Sequence, residues 1–147
     1  MRLLILNPNT SPFVTSRVSA QAKLSAGIGT EILEATGTFG ARIIGTRAEL
    51  AIAGHATLDA LAQHGGTYDA TVLAVSYDTA LYAAREMLQV PVVGITEAAL
   101  LTACMLGTRT GVVMFGKRVL PLYQELATLY GLNLRIGGWR AIESLAP

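Results

Sequence analysis

The sequence predicts an α/β protein built on a parallel sheet flanked by helices. Two observations lead there. Short, largely apolar runs alternate with longer segments of helical periodicity along the whole chain, and capping residues stand where the two kinds of segment meet. The strand candidates are "RLLILN" (2–7), "TEILEAT" (30–36), "ATVLAVS" (70–76), "VPVVGI" (90–95) and "TGVVMF" (110–115). Most are apolar throughout, which implies burial on both faces, so the repeating unit is βα with parallel pairing and right-handed crossovers.

Each element has its local signal. After the first strand, Ser11-Pro12 reads as an N-cap followed by proline at the first helical position. After the second, Thr46 and Glu49 have capping-box spacing. The helix that follows, 47–64, aligns Leu50, Ala53, Ala56 or Thr57, Ala60 and Leu61 on one stripe. Asp78 and Thr96 are positioned to cap the helices after the third and fourth strands, and Gly107 and Gly131 stand where helices close. Trp139, Tyr123 and Tyr130 read as packing residues on a later helix and strand.

Composition narrows the function. The chain has 147 residues, 52% hydrophobic and 14% charged, with 15 glycines, as expected of an ordinary globular domain. Net charge is +1 and the 11 basic residues are scattered, apart from the Lys117-Arg118 pair, so nucleic acid is not an expected partner. A single cysteine, Cys104, excludes an intrachain disulfide and a cysteine-rich metal site. It lies mid-helix, where a free thiol is expected to be buried and inert. No apolar run reaches the length of a membrane span, and a cytoplasmic location is expected. His55 and His64 share one predicted helix without metal-ligand spacing, and no metal site is assigned. Walker, dinucleotide and nucleophile-elbow motifs are absent from the sequence.

In an open parallel sheet the ligand crevice lies at the carboxyl ends of the strands, where strand order reverses. With the first and third strands as neighbours, the loops "NPNTS" (7–11) and "SYDT" (76–79) face one another. Both lead into helix starts whose N–H groups favour a carboxylate or imide oxygen. Asn7, Asn9, Thr10 and Ser11 are therefore candidate substrate ligands, although the same residue types also serve plain turn chemistry. Tyr77 and Thr79 join them. Glu97 follows the fourth strand and is a further candidate, with simple compensation of the helix dipole as the competing explanation. Ser76 and Asp78 are the candidates for proton transfer; Asp78 is equally suited to capping the helix.

Four blocks, "LLILNPNTS", "SYDTALYAAREML", "VPVVGITEAALLTACMLG" and "TGVVMFGKRVLPLYQELATLYGL", in that order and spacing, resemble the hydantoin racemase branch of the Asp/Glu racemase superfamily. The resemblance implies a cofactor-independent racemase acting on hydantoin-, allantoin- or amino-acid-like small molecules, with two α/β lobes and the site between them. Inverting a carbon acid needs one group to remove a proton from one face and another to return it on the other. The family uses two cysteines, one from each lobe, because a thiolate's pKa can be drawn toward neutrality.

This sequence departs from that pattern. The register set by "VLA" just before the second block and by its Asp78, Leu81 and Ala84-Arg85-Glu86 puts Val75 where the first cysteine belongs, with Ser76 beside it. By the resemblance, residues 1–107 form a flavodoxin-like first lobe and 108–147 the beginning of an incomplete second, beyond which the other cysteine would lie. An incomplete sheet has an open edge, which predicts a homo-oligomer. Two functions follow: a racemase-type enzyme using the crevice, or a binding protein that kept the crevice without the proton-transfer pair. A decarboxylase or isomerase with a single cysteine is a weaker third, since Cys104 is misplaced for it.

Overall fold

The computed structural model describes residues 1–64 and 68–143. The contacts divide the chain into two compact units, Met1–Ile95 and a second beginning at Thr96.

The first unit holds a sheet of four parallel strands in the order β2-β1-β3-β4, where β1 is Arg2–Asn7, β2 Glu31–Thr36, β3 Ala70–Leu73 and β4 Val92–Gly94. Helices α1 (Pro12–Ser25), α2 (Arg47–Gln63) and α3 (Leu81–Met87) make the crossovers. β1 is central and its apolar run is covered on both sides: Leu4 and Leu6 point to one face and Ile5 to the other, all three buried. The expected stripe of α2 is its core face, with Ala53, Ala56, Thr57, Ala60 and Leu61 buried.

The helix starts follow the sequence signals unevenly. Pro12 stands at the first position of α1 and Ser11 at its cap, but the Ser11 side chain makes no capping bond. The Thr46 hydroxyl accepts the Glu49 N–H (3.2 Å), while the Glu49 carboxylate accepts the N–H of Gly45 (2.8 Å), a box closed one residue early. Two expected caps are corrected. Thr96 lies inside α4 (Ile95–Leu106), which continues directly from β4. Asp78 stands two positions before the actual cap of α3, Ala80. The reason is that β3 stops early: the Ala74 N–H still bonds the Leu6 carbonyl (2.7 Å), but the Val75 carbonyl then accepts the Asp78 N–H (3.0 Å) and turns the chain.

The second unit begins with α4 and contains β5 (Thr110–Phe115), α5 (Leu120–Leu129) and β6 (Ile136–Ile142), the two strands paired in parallel. The sequence boundary at Gly107 left α4 with the first lobe. Here it groups with the second because Leu100 packs against Ala127 and Ile136, with Val112, Tyr130 and Trp139 around them. Tyr130, Gly131 and Leu132 end α5 in a Schellman motif: Gly131 has φ 69°, its N–H bonds the Thr128 carbonyl (2.9 Å), and the Leu132 N–H bonds the Ala127 carbonyl (2.8 Å). Arg135 closes the other helix. Its guanidinium donates to the carbonyls of Cys104 (2.7 Å), Gly107 (2.9 Å) and Thr108 (2.8 Å), satisfying the end of α4 with a charge that suits the dipole there. Cys104 is half-buried rather than fully buried as expected. The apolar run of β5 is also only half covered: Met114 is buried, whereas Val113 and Phe115 are 64% and 76% exposed. Among the described residues, no helix is long and apolar enough to cross a membrane.

Candidate functional site

With the order β2-β1-β3-β4, the crossover from β1 runs to β2 on one side and that from β3 to β4 on the other, so the switch point falls at the carboxyl ends of β1 and β3. The 7–11 loop and the 75–80 turn therefore leave adjacent strands at the same edge, as the sequence leads one to expect.

The first loop is an internally bonded scaffold. Asn7 is fully buried. Its amide donates to the Asn9 carboxamide oxygen (2.7 Å) and the Thr15 hydroxyl (3.1 Å) and lies 3.2 Å from the Ser11 carbonyl. Its own oxygen accepts the Asn9 N–H (3.2 Å), and the Asn9 side chain accepts the Ser11 N–H (2.9 Å). The Thr15 hydroxyl bonds the Thr36 hydroxyl at 2.6 Å, tying α1 to β2 beneath the loop. Ser11 is buried, while Asn9 and Thr10 are half-buried, and the Thr10 N–H bonds the Ala41 carbonyl (3.2 Å). The segment after β2 thus presses on this loop. A Cβ on Gly37 would overlap the Pro8 carbonyl, so glycine is required there by close approach.

The second loop has the opposite character. Val75, Tyr77, Asp78 and Thr79 are all buried, and Ser76 alone among residues 75–79 is exposed. Two residues have left-handed backbone without being glycine, Asp78 at φ 46° and Ala80 at φ 61°. Such conformations persist only where the surroundings over-determine them, and they concentrate at functional sites. Thr79 packs its methyl toward Gly54 of α2, and its buried hydroxyl has no hydrogen-bond partner among the described residues. The Asp78 carboxylate lies against Gly94, at the carboxyl end of β4, filling the space a Cβ there would occupy.

The structure thus brings Asn7, Asn9, Thr10 and Ser11 to the same edge as Ser76, Tyr77, Asp78 and Thr79. Glu97 lies in the first turn of α4, half-buried, and belongs to the second unit. Sequence reasoning missed Thr15, Gly37, Gly54 and Gly94. The glycines fall in unremarkable contexts, and only the close approach of another chain segment gives them meaning. Tyr68, whose phenol is pushed up in pKa by burial, precedes β3 and so lies at the other end of the strand. Among the described residues, no group of three or more His, Cys, Asp or Glu could hold a metal ion.

Comparison with known proteins matches this architecture. The hydantoin racemase of Pseudomonas sp. (strain NS671) is 32% identical over 138 residues, 92% of this chain and 55% of that protein. Allantoin racemases of Klebsiella pneumoniae and Pseudomonas fluorescens, both 36% identical, superpose with TM-scores of 0.91 and 0.92. They cover 97% and 96% of this chain, which covers 59% and 60% of theirs. The chain therefore spans between 55% and 60% of the length of these relatives. The profile of the family described as Asp/Glu/Hydantoin racemase matches residues 3–146, nearly the whole sequence. A four-stranded parallel sheet whose switch point sets a buried asparagine loop beside a strained turn, with that match along its length, makes this chain a member of the Asp/Glu/Hydantoin racemase family.

Proposed function

We propose that the carboxyl-end crevice of the first unit is the binding half of a racemase-type site for a small carbonyl compound of the hydantoin, allantoin or amino-acid class. The observation that carries this reading is the turn 75–80: a strained backbone with four buried residues that leaves Ser76 facing out beside the β1 loop. Ser76 is the group that meets the ligand. Asn9 and Thr10, half-buried beside it, offer further hydrogen bonds, while Asn7 shapes the loop from within. An enolate formed by deprotonation of such a compound carries its charge on oxygen, and N–H groups of a rigid turn suit its stabilisation.

The proton-transfer pair is a separate matter. Val75, where the family resemblance puts a cysteine, is apolar and buried and moves no proton. A hydroxyl such as that of Ser76 needs an activating base to act as one. This favours a second reading, a chain that binds the compound and does not invert it by itself.

Solvent deuterium exchange at the ring carbon of each enantiomer of a 5-substituted hydantoin, followed by NMR with the chain in excess, separates the readings. The expected result is binding with exchange near background, since each general acid or base contributes about 10²–10⁴-fold. Exchange of one enantiomer only would reveal a single working base. Rapid exchange of both, abolished by Ser76→Ala, would show that the serine does work denied to it here. Absence of binding at millimolar ligand removes the proposal.

A further inference from the structure

We propose that Asp78 is a positioning residue whose buried carboxylate, seated where Gly94 lacks a side chain, locks the left-handed turn that presents Ser76. Because it concerns how Ser76 is held, the proposal rests on the crevice reading above. Three observations converge on it. The carboxyl carbon and both oxygens of Asp78 occupy the space a Cβ on Gly94 would need, and Asp78 is only 4% exposed. The backbone of Asp78 is left-handed at φ 46° and Ala80 follows at φ 61°, conformations with an intrinsic cost that some tertiary contact must offset. The backbone of Asp78 also closes both ends of the turn: its N–H bonds the Val75 carbonyl (3.0 Å) and its carbonyl accepts the Leu81 N–H (3.0 Å).

These facts assign the carboxylate a mechanical role. A buried polar group is retained where its atoms are held, and here the Asp78 carboxyl group is wedged between the turn and the last residue of β4. β4 is a strand of the rigid sheet, so the wedge ties an exposed functional position to the framework rather than to another loop. Ser76, two residues upstream, is then displaced whenever the wedge is removed, even though Asp78 itself does not meet the ligand.

The test compares Gly94→Ala, Asp78→Gly, their combination and Asp78→Asn in the 147-residue chain. Glycine at 78 removes the carboxylate while keeping left-handed backbone accessible. The readouts are the Ser76 amide resonance, chemical denaturation, and titration with allantoin and 5-benzylhydantoin. Gly94→Ala should evict the carboxylate, shift the Ser76 amide and weaken binding about tenfold, and Asp78→Gly should do the same. Because both changes remove one contact, the double variant should be no worse than Asp78→Gly alone. Asp78→Asn, which keeps the shape, should bind within about twofold of the parent.

Additive penalties, or a Ser76 resonance unmoved by Gly94→Ala, overturn the proposal. Loss in Asp78→Asn equal to that in Asp78→Gly also overturns it, since the charge would then act on the ligand directly. Should Gly94→Ala fail to fold, the Ser76 resonance in Asp78→Asn against Asp78→Gly decides alone. If the parent chain binds neither compound, the crevice reading falls, while the Ser76 resonance and the stability coupling still judge the wedge.

Discussion

The two loops at the carboxyl edge of the first sheet differ in what holds them. Between Asn7 and Ser11, side chains bond side chains and backbone: Asn7 supplies an amide to Asn9 and Thr15, and Asn9 accepts from Ser11. Between Val75 and Ala80, backbone bonds turn the chain, two residues are left-handed, and four side chains are buried along the path. The first loop is rich in polar residues yet offers few of them outward. The second has one exposed polar side chain, Ser76. Polarity of sequence is thus a poor guide to which loop meets a ligand; what matters is which polar groups the fold leaves exposed.

That contrast can be broken at four points, measured by chemical denaturation. The largest effect is expected for Gly37→Ala, where the added Cβ meets the Pro8 carbonyl, backbone that cannot swing aside; the loss should be about 3 kcal/mol or more. A loss under about 1 kcal/mol would mean that the β2 segment does not clamp the first loop. Next, Asn7→Ala removes the amide at the centre of the network and leaves buried partners unsatisfied, costing roughly 2–3 kcal/mol. If it proves neutral, the scaffold account of this loop is wrong.

The second loop should answer with smaller changes. Ala80→Gly relieves a left-handed alanine and should stabilise by about 0.5–1 kcal/mol, the entropy of the unfolded glycine offsetting part of the gain. Destabilisation there would show that the Ala80 methyl packs in a way that outweighs its backbone. Ser76→Ala should change stability by less than about 0.5 kcal/mol while weakening ligand titration. A large stability loss would place Ser76 with the scaffold and erase the contrast between the loops.

The fold was legible where one residue's signal is local. Proline at the first position of α1, the Thr46 cap of α2 and Gly131 in its Schellman turn need only their neighbours in sequence, and all three occur, although Glu49 closes its box on Gly45 rather than on Thr46. The strands 2–7 and 110–115 have the bounds that their apolar runs define. Less was legible at the site. Asp78 looked like a helix cap because Asp before a helix commonly is one. Whether its carboxylate turns back to α3 or across to β4 depends on where β4 runs, and that is invisible from positions 76–81. The apolar run at 110–115 promised burial on both faces, yet Val113 and Phe115 are exposed, because periodicity reports what a strand can bury and not whether anything covers it.

By itself the sequence determined the alternation of strands and helices, their parallel pairing, and the turn at which chemistry was to be sought. These follow from apolar periodicity and from caps, which act within a few residues. The tertiary structure alone decided that Asn7 is a structural amide, that Ser76 is the exposed member of its turn, and that Gly37 and Gly94 are required by the segments pressed against them. The physical reason is distance along the chain. Gly37 is crowded by Pro8 and Gly94 by Asp78, contacts between residues that are remote in sequence, and a glycine's lack of a side chain becomes a constraint only when folding brings another segment into the vacant space.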